Sequence, residues 1–332
     1  MSDNSPKFSR RGLLAGVAGA AAAATLSGRL TTSVEAKAPM LGAARPTHYR
    51  FKIGEFEITT IYDGALAIPK VHPIFGLNQR IEDVQAYLSE NHLPANKMTI
   101  SFTPVIVNTG KEVVMFDSGY GEERRAKGAG LLAAALATAG FSPDQIDVIV
   151  LTHLHPDHVS GLMENGKAVF PNARYITGDV EYNFWSRKDL LEGSDKNMVR
   201  RAKAVHNNVV PLAEKIKFIK PGADVVTGVT SVKAFGHTPG HMCYHIENAG
   251  KRFLIFADTT NHYAVSLAKP DWHCVFDMDK EAAVKTRKKI LDMIAADKIA
   301  SAGYHMPFPA VGYVEKQGSG YRWVPASYQL DL

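Results

Sequence analysis

Cysteine is scarce: Cys243 and Cys274 are the only two in 332 residues. Two thiols cannot make the disulfide framework of a small secreted scaffold, and at most one bridge could form. Cys243 lies two residues after His241 on an expected strand, so both thiols are expected free and buried. A large charge excess is also missing. The formal net charge is +5. Five cations and two anions (Lys7, Arg10, Arg11, Arg29, Lys37 against Asp3 and Glu35) sit in residues 1–38 and account for three of those charges. The remaining +2 gives no electrostatic footprint for nucleic acid. Beyond residue 38 there is no Ser/Gly linker, repeat or low-complexity tract. A single domain over 39–332 is therefore expected.

The chain also lacks an apolar run long enough to span a bilayer comfortably. Gly12 to Gly28 covers 17 residues, at the low edge for a span, and is mostly Ala and Gly. It follows Ser9-Arg10-Arg11-Gly12-Leu13-Leu14, a twin-arginine pattern, and precedes the small-residue cleavage patterns Val34-Glu35-Ala36 and Ala36-Lys37-Ala38. Residues 1–38 thus read as a twin-arginine (Tat) signal peptide. A folded protein delivered to the periplasm, without stable membrane association once the leader is removed, is the expectation.

What the chain does have is Thr152-His153-Leu154-His155-Pro156-Asp157-His158. Three imidazoles and a carboxylate within six residues are the donors zinc prefers where a site must do chemistry. The apolar run Asp147–Leu151 before them reads as a buried strand. Its carboxyl end is where α/β proteins place their sites. His153 and His155 can face one way from an extended segment while Asp157 and His158 turn toward a second point. One loop can then hold two metals side by side.

Further ligands stand at other strand ends. Phe235-Gly236-His237-Thr238-Pro239-Gly240-His241 follows Val229–Ala234, Asp258 closes the run Phe253–Ala257, and His305 follows Ala302-Gly303-Tyr304. Asp117-Ser118-Gly119 follows Val113–Phe116. These motifs, in this order, resemble the metallo-β-lactamase superfamily over nearly the whole chain after the leader. The likeness is greatest to its methyl parathion hydrolase and lactonase group. It includes Gly54-Glu55-Phe56-Glu57-Ile58-Thr59, Phe170-Pro171-Asn172-Ala173, Phe184-Trp185 and Gly318–Pro325.

The resemblance implies an α/β fold, the four-layer αββα sandwich, and two divalent metal ions, zinc before manganese, iron or cobalt. It implies that His153, His155 and His241 hold one ion, that Asp157, His158 and His305 hold the other, and that Asp258 bridges them. Asp117 is implied as a group that orients ligands from behind, and His237 as a turn residue and not a ligand. The bridging Asp258 disfavours a true β-lactamase, and His155 in place of a glutamate disfavours a redox diiron site. A hydrolase of a small neutral lactone, ester or phosphotriester remains, acting through a hydroxide between the metals. Asp157 and Asp258 are its expected catalytic carboxylates, Asp157 as a ligand that also orients the nucleophile. β-Lactamase and glyoxalase II-like thioesterase are the alternatives, and no basic glutathione-binding extension is evident. A non-catalytic binding protein is disfavoured by seven intact ligand positions. The partner is a small molecule, and a homodimer is left open.

Tyr182, Tyr263 and Tyr304 are candidates for leaving-group protonation. Trp185 is balanced between pocket wall and core, Phe184 is expected in the core, and His262 and His273 at the surface. In the helical stretch Asp279–Asp297, Arg287-Lys288-Lys289 reads as a solvated face opposite Ala283, Ile290, Leu291, Ile294 and Ala295. Ile100–Val107 reads as one strand.

Overall fold

Period-two burial builds this molecule. In Val105-Ile106-Val107, Val105 and Val107 face one hydrophobic cluster and Ile106 another, as alternating side chains of a strand must. A strand buried on both faces belongs to a sheet covered on both sides. In the computed structural model, residues 38–326 and 328–332 are described, and Arg45–Leu332 form one compact unit. The expected leader lies outside the described residues, apart from Ala38.

Two seven-stranded sheets carry the fold. The first runs, in spatial order, His48–Ile53, Phe56–Ile61, Val105–Asn108, Val113–Phe116, Val148–Val150, Arg174–Gly178, Ile216–Ile219. The second runs Asp224–Val226, Val229–Lys233, Met242–Asn248, Lys251–Ala257, Ala300–Gly303, Val311–Gln317, Gly320–Pro325. Phe51, Val107 and Phe116 of the first sheet pack with Tyr244, Phe253 and Ile255 of the second. The outer face of the first sheet (Ile106, Met115, Ile149) buries against Leu132, Leu136, Trp185 and Val205 from three helices. The outer face of the second (Cys243, Leu254, Phe256) buries against Ile290, Leu291 and Ile294 of the helix Lys280–Asp297. Helix, sheet, sheet, helix is the four-layer sandwich the resemblance implies.

The helix Asp179–Trp185 and the strands around the motifs fall within a few residues of expectation. Two readings need correction. The run Ile100–Val107 is two strands, Met98–Phe102 and Val105–Asn108, broken at Pro104 and paired into different sheets. A proline has no N–H for the ladder, so the chain can change partners there. Arg287 does not lie on a solvated face: it is fully buried. Of the expected apolar face, Ala283, Ile290, Leu291 and Ile294 are buried and Ala295 is half-buried. Both cysteines are free and buried, as expected. Among the described residues no helix is long and apolar enough to cross a membrane.

Candidate metal centre

The strand Val148–Val150 ends in the histidine loop, and Pro156 starts the one-turn helix Pro156–Val159. That turn separates Asp157 and His158 from His153 and His155. The strands Val113–Phe116 and Lys251–Ala257 deliver Asp117 and Asp258 from the two sheets. Asp117 (φ 63°) and Ala257 (φ 45°) adopt the left-handed conformation, which costs a non-glycine residue roughly 1 kcal/mol or more and is tolerated where surroundings over-determine it.

The side chains converge in two groups that share Asp258. His153, His155, His237 and Asp258 offer donor atoms all within 4.8 Å of one another, and so do Asp157, His158, Asp258 and His305. His155 Nδ1 lies 3.1 Å from His153 Nε2 and 3.0 Å from His237 Nε2. Asp258 Oδ2 lies 3.1 Å from His305 Nε2 and 3.3 Å from His237 Nε2, and its Oδ1 lies 3.3 Å from His158 Nε2. Asp157 Oδ2 is 3.5 Å from both His158 Nε2 and His305 Nε2. Two ligands of a tetrahedral zinc with bonds of 2.0–2.1 Å lie about 3.3 Å apart, so these spacings suit metal coordination. His158 Nε2 and Asp258 Oδ1 are buried with no hydrogen-bond partner among the described residues. Buried polar atoms are rarely left so, and a cation between them would satisfy both.

His241 takes a different place from the one the resemblance implies. It is buried beside His153, ring centroids 5.1 Å apart. Its Nε2 accepts the Asp258 backbone N–H at 3.1 Å. His237, read from sequence as a turn residue, stands inside the first group instead. With Ala234 O at its Nδ1 as well, His241 has both ring nitrogens engaged, and the turn's donor to the group is His237.

Four of the imidazoles at the centre are tethered from behind. His158 Nδ1 lies 2.8 Å from Asp117 Oδ2, His305 Nδ1 2.9 Å from Ser101 O, His241 Nδ1 3.0 Å from Ala234 O and His237 Nδ1 2.8 Å from Asp277 Oδ1. A hydrogen bond at one ring nitrogen fixes which nitrogen faces the centre. Burial opposes charge on His158, yet Asp258, Asp117 and Asp157 together hold its pKa well above the ordinary value.

Glu181 is a residue the sequence reading missed. Fully buried, it accepts the Leu154 N–H (2.9 Å), the Gly240 N–H (2.7 Å), the Thr238 hydroxyl (2.7 Å) and the Trp185 indole N–H (2.9 Å). It ties the two histidine loops together. Gly240 makes this possible, because a Cβ there would stand 2.4 Å from the Glu181 backbone nitrogen. Trp185 is core, fully buried with its ring edge toward His155 at 5.8 Å. Phe184 is half-buried against the same cluster.

Tyr304 donates to the Asp157 carbonyl at 2.6 Å and stacks on His158. Tyr182 packs on Phe218. Tyr120, three residues after Asp117, lines the cavity over the metal centre with Asp157 and Asp258; its place after the Asp-Ser-Gly motif was the available signal. His262 is buried, against expectation. With Tyr263 it lines a second, mostly apolar cavity of about 530 Å³ that shares His305 with the first. His273 is half-buried, 3.2 Å from Glu281.

A family model described as the metallo-beta-lactamase superfamily matches residues 103–297. Among solved structures the chain is similar to AidC, a dizinc quorum-quenching lactonase in complex with a product, N-hexanoyl-L-homoserine. The two are 26% identical, with a TM-score of 0.79, over 85% of this chain and 98% of that one. It is also similar to AbOPH, a hydrolase in the beta lactamase superfamily: 27% identical, TM-score 0.78, 86% of this chain and 100% of that one. The comparison with curated proteins finds no match.

Proposed function

The chain belongs to the metallo-beta-lactamase superfamily as a metal-dependent hydrolase, and on that premise we propose that it hydrolyses a small lactone or ester, with phosphotriesters as a side reaction. The observation that carries the reading is the pair of donor groups hinged on Asp258, with His158 Nε2 and Asp258 Oδ1 buried and unpartnered between them. The likeness to a dizinc lactonase supports zinc and a lactone.

His153, His155, His237 and Asp258 would hold one ion; Asp157, His158, Asp258 and His305 would hold the other. When bound, such a pair lowers the pKa of water toward neutrality and polarises a carbonyl or phosphoryl oxygen. The chain's own residues do the rest. Asp117 and Ser101 hold the rings of His158 and His305. Asp157 and Tyr120 both line the cavity, and in this reading Asp157 accepts a proton and Tyr120 donates one to the leaving group. Leu66, Ile100, Phe102 and Phe276 exclude water.

A panel on zinc-loaded protein tests this: an acyl-homoserine lactone, an aryl ester, a methyl-substituted organophosphate, nitrocefin and S-lactoylglutathione. The lactone or the aryl ester is expected to turn over fastest. Preference for nitrocefin or the thioester would replace the reading with one of the alternatives.

The activity belongs in the periplasm on this account, since the twin-arginine pattern at Arg10 and Arg11 is read by an export receptor. Arg10→Lys with Arg11→Lys should leave the precursor in the cytoplasm. Mature protein still found in the periplasm would refute the assignment.

A further inference from the structure

The cavity over the metal centre is small, about 200 Å³, and its lining is mixed. Leu66, Ile68, Ile100, Phe102 and Phe276 are its apolar members. Arg200 and Arg201, consecutive residues of the helix Lys196–Asn208, line it too, with Tyr120 and Asp157. Arg201 is half-buried and Arg200 exposed. Among the described residues, neither guanidinium forms an ion pair within 4.0 Å of a carboxylate. Asp195, an acid on the same segment, is engaged as the helix N-cap, accepting the Asn197 and Met198 N–H groups. Arg200 also lines an adjoining cleft of about 580 Å³, of mixed charge, with Lys196, Lys203, Glu123 and Glu192.

A half-buried guanidinium such as that of Arg201, with no carboxylate paired to it and Arg200 beside it, is costly unless an anion answers it. Burial and the neighbouring Arg200 both disfavour the charge on Arg201, while Asp157 and Asp195 favour it. Asp157 is the one acid of that pair in the cavity, and on the proposed reading a metal engages it. The cations then face space that a substrate fills.

We propose that the substrate carries a negatively charged group, a carboxylate or a phosphate-type oxyanion, which Arg201 binds with Arg200 beside it while the scissile bond lies against Asp157 and Asp258. This rests on the hydrolase reading and names the substrate class for it. Arginine suits the task because its planar fork pairs with both oxygens of such a group. The apolar lining residues take the carbon skeleton between the charge and the scissile bond.

Matched 4-nitrophenyl esters test the assignment on the zinc-loaded, full-length mature protein. The monoester of glutaric acid is anionic; the valerate ester is its neutral counterpart with the same leaving group. The ester of 4-phosphonobutyric acid supplies the phosphate-type arm. Wild type should prefer one anionic ester to the neutral one by roughly tenfold or more in kcat/KM, carried by KM. Arg201→Gln should collapse that ratio toward one at unchanged zinc content, and Arg201→Lys should keep part of it. A wild-type ratio near one overturns the proposal, whether or not the variants fold. So does an Arg201→Gln protein that keeps the preference. If no ester is turned over, the hydrolase reading fails separately. Calorimetric binding of glutarate then decides: weakening of about tenfold in Arg201→Gln supports the anion site, and equal affinity overturns it.

Discussion

The inner and outer layers of the metal centre treat their hydrogen bonds in opposite ways. In the outer layer Asp117, Glu181 and Asp277 are saturated. Asp117 takes the Thr152 N–H, the Thr152 hydroxyl and the His158 ring. Asp277 takes the His237 ring at 2.8 Å and the Arg287 guanidinium at 2.7 Å. In the inner layer His158 Nε2 and Asp258 Oδ1 lie buried 3.3 Å apart, neither making a hydrogen bond among the described residues. An unmade buried hydrogen bond costs about 1–3 kcal/mol. The difference separates scaffold from function: the outer carboxylates fix geometry for the fold, and the inner ones are left for a ligand.

That division predicts different failures. The largest effect should come from the outer layer. Arg287→Met leaves the Asp277 carboxylate buried without its cation, and stability should fall by about 3–5 kcal/mol in denaturant unfolding. A loss under 1 kcal/mol would mean that Asp277 is not held by charge. In the inner layer, Asp258→Ala should cost stability far less but turnover at least roughly a hundredfold, with loss of bound metal. Near-normal metal and rate in that variant would remove Asp258 from the centre.

Glu181→Gln sharpens the comparison, because Glu181 touches both histidine loops and no ligand side chain. Its amide would set an N–H₂ against N–H donors. Metal affinity, measured by chelator competition, should weaken about ten- to a hundredfold. Unchanged affinity would make Glu181 a mere core residue. The smallest effect is expected from Tyr304→Phe, which removes one hydrogen bond to the Asp157 carbonyl. A cost of about 0.5–1.5 kcal/mol in stability is predicted, with turnover changed less than roughly tenfold. A larger loss of turnover would make Tyr304, not Tyr120, the tyrosine that serves the reaction.

Most of the inner layer was legible in the sequence because four of its residues lie within six positions of one loop and Asp258 and His305 end strands; the Gly236–His241 turn misled, because it offers two histidines and spacing does not tell which of them joins the group, and His237 does. The outer layer was not. Glu181 sits in a short helix whose polar residues look solvated, and its burial follows from Gly240 letting the helix meet the turn. Arg287 looked like its neighbours Lys288 and Lys289, yet carbonyls of Thr259 and Pro270 and the Asp277 carboxylate receive it in the core. Such partners are distant in sequence, and no local pattern announces them. The break at Pro104 was visible and should have divided the run Ile100–Val107. The arginine pair at the cavity escaped notice because its meaning depends on which helix face meets the site.

Metal stoichiometry tests the central claim most directly, because it asks whether the unpartnered inner layer is built for ions. Protein purified without chelator and made metal-replete should approach two divalent ions per chain by elemental analysis, matching the two donor groups that share Asp258. A reproducible value of one or less in fully folded protein would contradict it.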